Sequence, residues 1–138
     1  MELKVNEFTV PAEVDKLPEV LAFVDGLLEE NGCPMKTQMQ IEIALEEVFV
    51  NIAHYAYPDG TGDAAIRVSI TPGSIEITLI DSGIPYDPLK KPDPDVTLSA
   101  EERQIGGLGI FMTKKLMDNV TYEYKEGKNN LTIKKIFS

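Results

Sequence analysis

The sequence predicts an α+β fold, a two-layer sandwich in which a mixed, mostly antiparallel sheet carries helices on one face. Three observations lead there. The elements read in the order strand, helix, helix, strand, strand, long loop, helix, strand, strand, so strands outnumber the crossovers a parallel sheet would need. Thr71-Pro72-Gly73-Ser74 and Glu126-Gly127-Lys128-Asn129 each join two strand-like runs as hairpin turns. The 138 residues suit a single domain over 1–138, and 43% of them are apolar, enough for a core.

In chain order, Leu3, Val5, Phe8 and Val10 predict a first strand that Pro11 ends. From Val14 to about Glu30, Leu17, Val20, Leu21, Val24, Leu27 and Leu28 recur at helical spacing, and Asn31-Gly32-Cys33-Pro34 stops the helix. A longer helix is predicted from about Lys36 to Tyr57, on Met39, Ile43, Leu45, Val48, Phe49 and Ile52, with Pro58-Asp59-Gly60 closing it. Strands follow over Ala64 to Thr71 and Ser74 to Ile80. From Asp81 to Gly109 no period survives and Pro85, Pro88, Pro92 and Pro94 lie among charges; a loop of that length is usually functional or disordered. Ile110 to Met117 predicts a helix, and Val120 to Lys125 with Asn130 to Phe137 a second hairpin.

Composition removes several functions. Thirteen basic against 23 acidic side chains leave a net charge of −10, which argues against a protein that grips nucleic acid through Lys and Arg. One cysteine, Cys33, and one histidine, His54, exclude a disulfide framework and a Cys/His zinc site. No signal-peptide pattern and no run long enough to span a membrane are present, so a soluble, cytoplasmic protein without membrane attachment is expected.

Three patches carry chemistry. Glu47 and Asn51 lie four apart on the long helix and share a face, and an Asn in mid-helix among apolar neighbours asks for a reason. A carboxylate beside an amide oxygen suits a hard cation and an activated hydroxyl, although the same pair also occurs on any solvated helix face. Asp81-Ser82-Gly83-Ile84-Pro85 ends a strand, where Asp81 can accept from an amine and Gly83 lets a flat group approach, or where an ordinary turn stands. Gly106-Gly107-Leu108-Gly109 precedes a helix, where backbone N–H groups make an anion site without basic side chains; a plain glycine-rich loop end reads the same way. His54, Cys33, Lys114 and Lys115 read as incidental or solvated.

Together and in this order, the three patches resemble the GHKL, or Bergerat-fold, ATPase superfamily, and within it the anti-sigma factor serine kinases of bacterial partner switching. The stretch Asp81-Ser82-Gly83-Ile84-Pro85-Tyr86-Asp87-Pro88 is the most telling. The resemblance implies ATP as substrate, Glu47 as general base, and Asn51 as ligand of a magnesium ion, Mg2+. It implies that Asp81 takes the adenine amine with Gly83 beneath the ring, that Gly106, Gly107, Leu108 and Gly109 cradle phosphates, and that Ile84 to Ile105 form a short lid. Thr132 is the matching candidate for a last-strand threonine that helps seat adenine, and Tyr55 stands where many members have histidine. Ile105 stands where some members have an arginine. The implied partners are a STAS-domain anti-sigma factor antagonist, phosphorylated on serine or threonine, and a sigma factor; a homodimer is expected from family habit alone. A non-catalytic, nucleotide-gated module that sequesters a regulator is the rival, and an ATP hydrolase ranks third because such proteins carry further large domains.

Overall fold

The structure, a computed structural model, describes residues 4–58, 60–90 and 107–137. Five strands form one sheet in the order β1-β2-β3-β5-β4: β1 is Lys4–Pro11, β2 Asp63–Thr71, β3 Ser74–Asp81, β4 Asn119–Lys125 and β5 Lys128–Ile136. Every neighbouring pair is antiparallel, so among the described residues the sheet has no parallel component. Among the same residues three helices complete the layer: α1 Leu17–Glu30, α2 Met35–Tyr55 and α3 Gly107–Leu116.

One alternating face of the sheet is apolar. Ile66 and Val68 of β2, Ile77 and Leu79 of β3 and Leu131 and Ile133 of β5 are buried, and they form one core with Val20, Val24 and Leu28 of α1 and Ile41, Leu45, Val48, Phe49 and Ile52 of α2. Burial of this apolar surface is the main favourable term of the fold. The other face is polar, with an Arg67–Glu7 ion pair at 3.1 Å and a hydroxyl bond of 2.9 Å between Thr78 and Thr132.

Several boundaries differ from those read in the sequence. A short 3-10 turn over Val14–Lys16 precedes α1, whose start is set by Pro18 in its first turn. Helix α2 runs from Met35 only to Tyr55, and its C-terminal cap is Ala56. Val5 is exposed on the open face, because β1 pairs Phe8 with Ile66 and Val10 with Ala64; the inward positions of β1 are therefore even-numbered. Leu3 lies outside the described residues.

The last hairpin turns on two residues rather than four. Lys125 pairs with Lys128, and Glu126 and Gly127 between them have φ of 54° and 77°. Two successive positive φ angles match the right-handed twist of a tight hairpin, which is why Gly127 stands there. Strand β5 thus begins two residues earlier than the composition suggests and takes in Asn129. Helix α3 likewise begins three residues early, so Gly107 and Gly109 occupy its first turn instead of a preceding loop. Packing of α3 against α2 outweighs the ~1 kcal/mol each glycine costs in a helix.

Candidate nucleotide site

A cleft of about 390 Å³ opens between α2, the end of β3 and the loop that follows it. That space includes open solvent at the mouth, and the room left for water-sized spheres is about 30 Å³, so the slot is narrow. Its walls are mostly apolar, from Val48 and Ile52 of α2, Leu79 of β3 and Leu131 of β5. Its residues with polar groups are few: Asn51, Asp81, Asn129, Tyr55, Tyr86 and Tyr122. An apolar slot with a small number of fixed polar groups is how proteins hold flat heterocycles.

Asp81 is only 5% exposed. Its Oδ1 accepts from the Gly83 N–H and from Asn129 Nδ2, both at 2.9 Å, while Oδ2 takes no hydrogen bond among the described residues. Burial pushes the Asp81 carboxyl above the usual aspartate range, and the bonds from Asn129 and Gly83 pull it partly back. The carboxylate is held in one orientation with one oxygen to spare.

Asn129 does the holding. Its Nδ2 donates to Asp81 Oδ1 and, at 2.8 Å, to the Ile84 carbonyl. Its Oδ1 accepts from the Tyr86 N–H at 3.1 Å and from the Tyr122 hydroxyl. Two donors and two acceptor sites are the whole capacity of a carboxamide, and all four are used here. One side chain therefore ties β3, β4, β5 and the loop over 84–86 together. Local sequence places Asn129 in the turn Glu126-Gly127-Lys128-Asn129; only the β3–β5 register, which sets Asp81 opposite Asn129, brings it to the site.

The loop after Asp81 closes against α2. Ile84 N–H donates to the Ala56 carbonyl at 3.0 Å, and a Cβ on Gly83 would lie 2.2 Å from that same oxygen. The missing side chain at Gly83 is thus required by the end of α2, and Gly83 is not among the residues lining the cleft. Tyr57 supports this edge, its hydroxyl donating to the Asp63 carbonyl at 2.6 Å and accepting from the Ser82 N–H at 2.9 Å.

Asn51 lines the cleft directly, whereas Glu47, one turn earlier on α2, is half-buried and outside its lining. Burial raises the Glu47 carboxyl above the usual glutamate range, and the neighbouring Glu46 charge adds to the effect. Tyr55 packs beside Tyr86 with ring centroids 6.3 Å apart, and His54 is exposed. Thr132 does not reach the site: its register partner is Thr78, on the open face of the sheet. The second-hairpin residue beside Asp81 is Asn129 instead.

Gly107, Leu108 and Gly109 form the first turn of α3, which packs on α2, the helix that carries Glu47 and Asn51. The first N–H groups of such a helix have no intrahelical partner and are free to meet an anion. Gly106, and the expected lid beyond Lys90 up to Ile105, lie outside the described residues; the part within them, Ile84 to Lys90, ends in a 3-10 turn at Pro88–Lys90. Lys115 rests over the Phe111 ring at 5.3 Å.

Among the described residues no group of three or more His, Cys, Asp or Glu side chains could enclose a metal ion. A single amide oxygen at Asn51 with Glu47 one turn away fits magnesium, which keeps several waters and takes most remaining ligands from substrate phosphates. No helix among the described residues is long and apolar enough to cross a membrane.

Residues 10–135 match the family model described as a histidine kinase-like ATPase domain. Proteins named serine-protein kinase RsbW, from Bacillus thuringiensis (strain Al Hakam) and Bacillus cereus (strain 03BB102), are 26% identical over 134 residues, covering 94% of this chain and 84% of theirs. The RsbW of Bacillus anthracis (strain CDC 684 / NRRL 3495) matches to the same extent. Among solved structures, the RsbU and RsbW domains of Rv1364c from Mycobacterium tuberculosis superpose with a TM-score of 0.68 at 16% identity, covering 98% of this chain and 33% of that one, so the present chain spans a third of that structure. The matched span includes Glu47, Asn51, Asp81 and Asn129, and the chain belongs to the histidine kinase-like ATPase domain family.

Proposed function

We propose that this protein is an ATP-dependent protein-serine/threonine kinase and anti-sigma factor that phosphorylates a STAS-domain anti-sigma antagonist. The single observation that carries the reading is the cleft itself, in which Asn51 of α2 and a locked Asp81 of β3 face one apolar slot. The family match and the name shared by its relatives support the reaction.

In this mechanism the free Oδ2 of Asp81 accepts from the exocyclic amine of adenine, and Val48, Ile52, Leu79 and Leu131 flank the ring. The amides of Gly107, Leu108 and Gly109, together with Gly106, meet the phosphates, and Gly83 serves by donating to Asp81 and seating the loop on Ala56. Asn51 is the residue that would hold magnesium, which supplies charge neutralisation on the triphosphate. Glu47 takes the proton of the acceptor hydroxyl. The serine Oγ–P bond then forms as the bridging P–O bond to ADP breaks. Phosphoryl transfer asks the protein mainly for positioning and charge stabilisation, and these groups provide both. The raised carboxyl of Glu47 suits a base that must work near neutral pH.

The test is transfer of label from γ-labelled ATP to purified STAS-domain proteins, with wild type and Glu47→Gln. The expected result is labelled serine or threonine, a transfer rate about 10²- to 10⁴-fold lower in the variant, and ATP affinity changed by no more than about threefold. ATP binding without transfer in the wild type would select the non-catalytic regulator module, a reading favoured by the position of Glu47 outside the cleft lining.

A further inference from the structure

Helix α2 carries one continuous ridge at four-residue spacing: Met35, Met39, Ile43, Glu47, Asn51 and Tyr55. Its second half is the site described above. Its first half is apolar and open, with Met35 66% exposed, Met39 55% and Ile43 42%. Each four-residue step rises about 6 Å and turns about 40° around the axis, so the row winds over about 18 Å from Met35 to Glu47, with Ile43 the member nearest Glu47. Exposed apolar side chains are ordinary when scattered, but three adjacent ones ending at a reactive group mark a contact surface.

We infer that Met35, Met39 and Ile43 form the docking surface for the protein whose hydroxyl is delivered to Glu47; this rests on the kinase reading. Four points identify the occupant. The row stands on a convex helix ridge, so it offers no pocket to a small hydroxyl substrate. Any folded acceptor whose hydroxyl reaches Glu47 must lie over the adjoining turns of α2, and Ile43 is the turn immediately before it. Three side chains fall well short of the ~800 Å² per partner of a stable homodimer and suit a contact that releases after transfer. Exposed Glu46, three residues after Ile43, puts negative charge at the end of the row nearest Glu47, while exposed Lys36 puts positive charge beside Met35 at the far end. The acceptor is therefore a protein presenting its serine or threonine beside a small apolar patch, with a neutral or basic group on the side nearest that hydroxyl. Methionine suits such a transient face, because its flexible thioether side chain repacks at little cost.

The test uses the full chain, magnesium-ATP and the purified STAS-domain protein that accepts label from the wild type, with Met39→Glu, Ile43→Glu and, as a control on the open sheet face, Val5→Glu. All three positions are exposed, so the fold is expected to survive, and circular dichroism checks that it does. The expected result is a KM for the protein acceptor raised about tenfold or more by Met39→Glu and Ile43→Glu, with kcat and the Kd for ATP within about twofold of wild type and no effect of Val5→Glu. An unchanged KM in both ridge variants overturns the docking surface and leaves the kinase reading standing. No label on any acceptor from the wild type overturns the kinase reading, and the docking surface with it. A wild-type dimer that Ile43→Glu converts to monomer overturns the proposal in favour of self-association.

Discussion

Asp81 and Asn129 show how much of a site can rest on one hydrogen-bonded pair. A buried carboxylate is costly unless its bonds are made, and Asn129 makes one of them while fixing the loop that carries Tyr86. Asn129→Ala leaves Asp81, the Ile84 carbonyl, the Tyr86 N–H and the Tyr122 hydroxyl each short of a partner. The expected cost is roughly 2–3 kcal/mol, read as a drop in urea midpoint at constant m-value, with ATP affinity falling by at least about tenfold. Gly83→Ala tests the other support of the loop. Its Cβ would stand 2.2 Å from the Ala56 carbonyl oxygen, backbone that cannot rotate away, so a melting temperature several degrees lower is expected. An unchanged melting temperature would count against the contact. Asp81 was legible in the sequence as an acid at a strand end, whereas Asn129 was not, because a one- or two-residue error in the hairpin turn hides which residue faces it.

Helices α1 and α2 meet at a cluster that the nucleotide reading does not use. Asp25 on α1 lies near Glu42 and Gln38 on α2, and its Oδ1 is buried without a partner among the described residues. Burial, followed by the neighbouring Glu42 carboxyl and its charge, pushes the Asp25 carboxyl up to about 6, with Glu29 adding to the rise. The folded pKa is above the unfolded one, so the helix pair is most stable below about pH 4 at this site and loses that stability as pH rises through about 6. Asp25→Asn keeps the shape and removes the charge. It is expected to raise the melting temperature at pH 8 by roughly 3–5 °C, about 1 kcal/mol once the partial exposure of the pair is allowed for, and to give no gain at pH 4. Thermal melts at the two pH values decide it. At this scale the helices themselves were plain from their apolar period, but the start of α3 was not, since glycines read as breakers when only local propensity is weighed.

For the whole molecule, a net charge of −10 repels a triphosphate ligand. It excludes only ligands held mainly by Lys and Arg. Backbone amides at the start of α3 and a cation on Asn51 would hold phosphates without them. Magnesium-ATP at a hundredfold excess over its Kd is therefore expected to stabilise the fold by ~2.7 kcal/mol, or roughly 8 to 13 °C in melting temperature. Chelation of the magnesium with EDTA should remove most of that shift, and an equal shift with and without the metal would refute the role given to Asn51.

The two-layer α+β class, the helix bearing Glu47 and Asn51, and the strand ending in Asp81 are all legible in the chain read residue by residue, because apolar period and turn residues are local signals. The order β1-β2-β3-β5-β4, and with it the meeting of Asp81 and Asn129, was decided only in the folded chain. Strand register depends on partners 48 residues apart and on two positive φ angles at 126 and 127, and neither is written in a single local window.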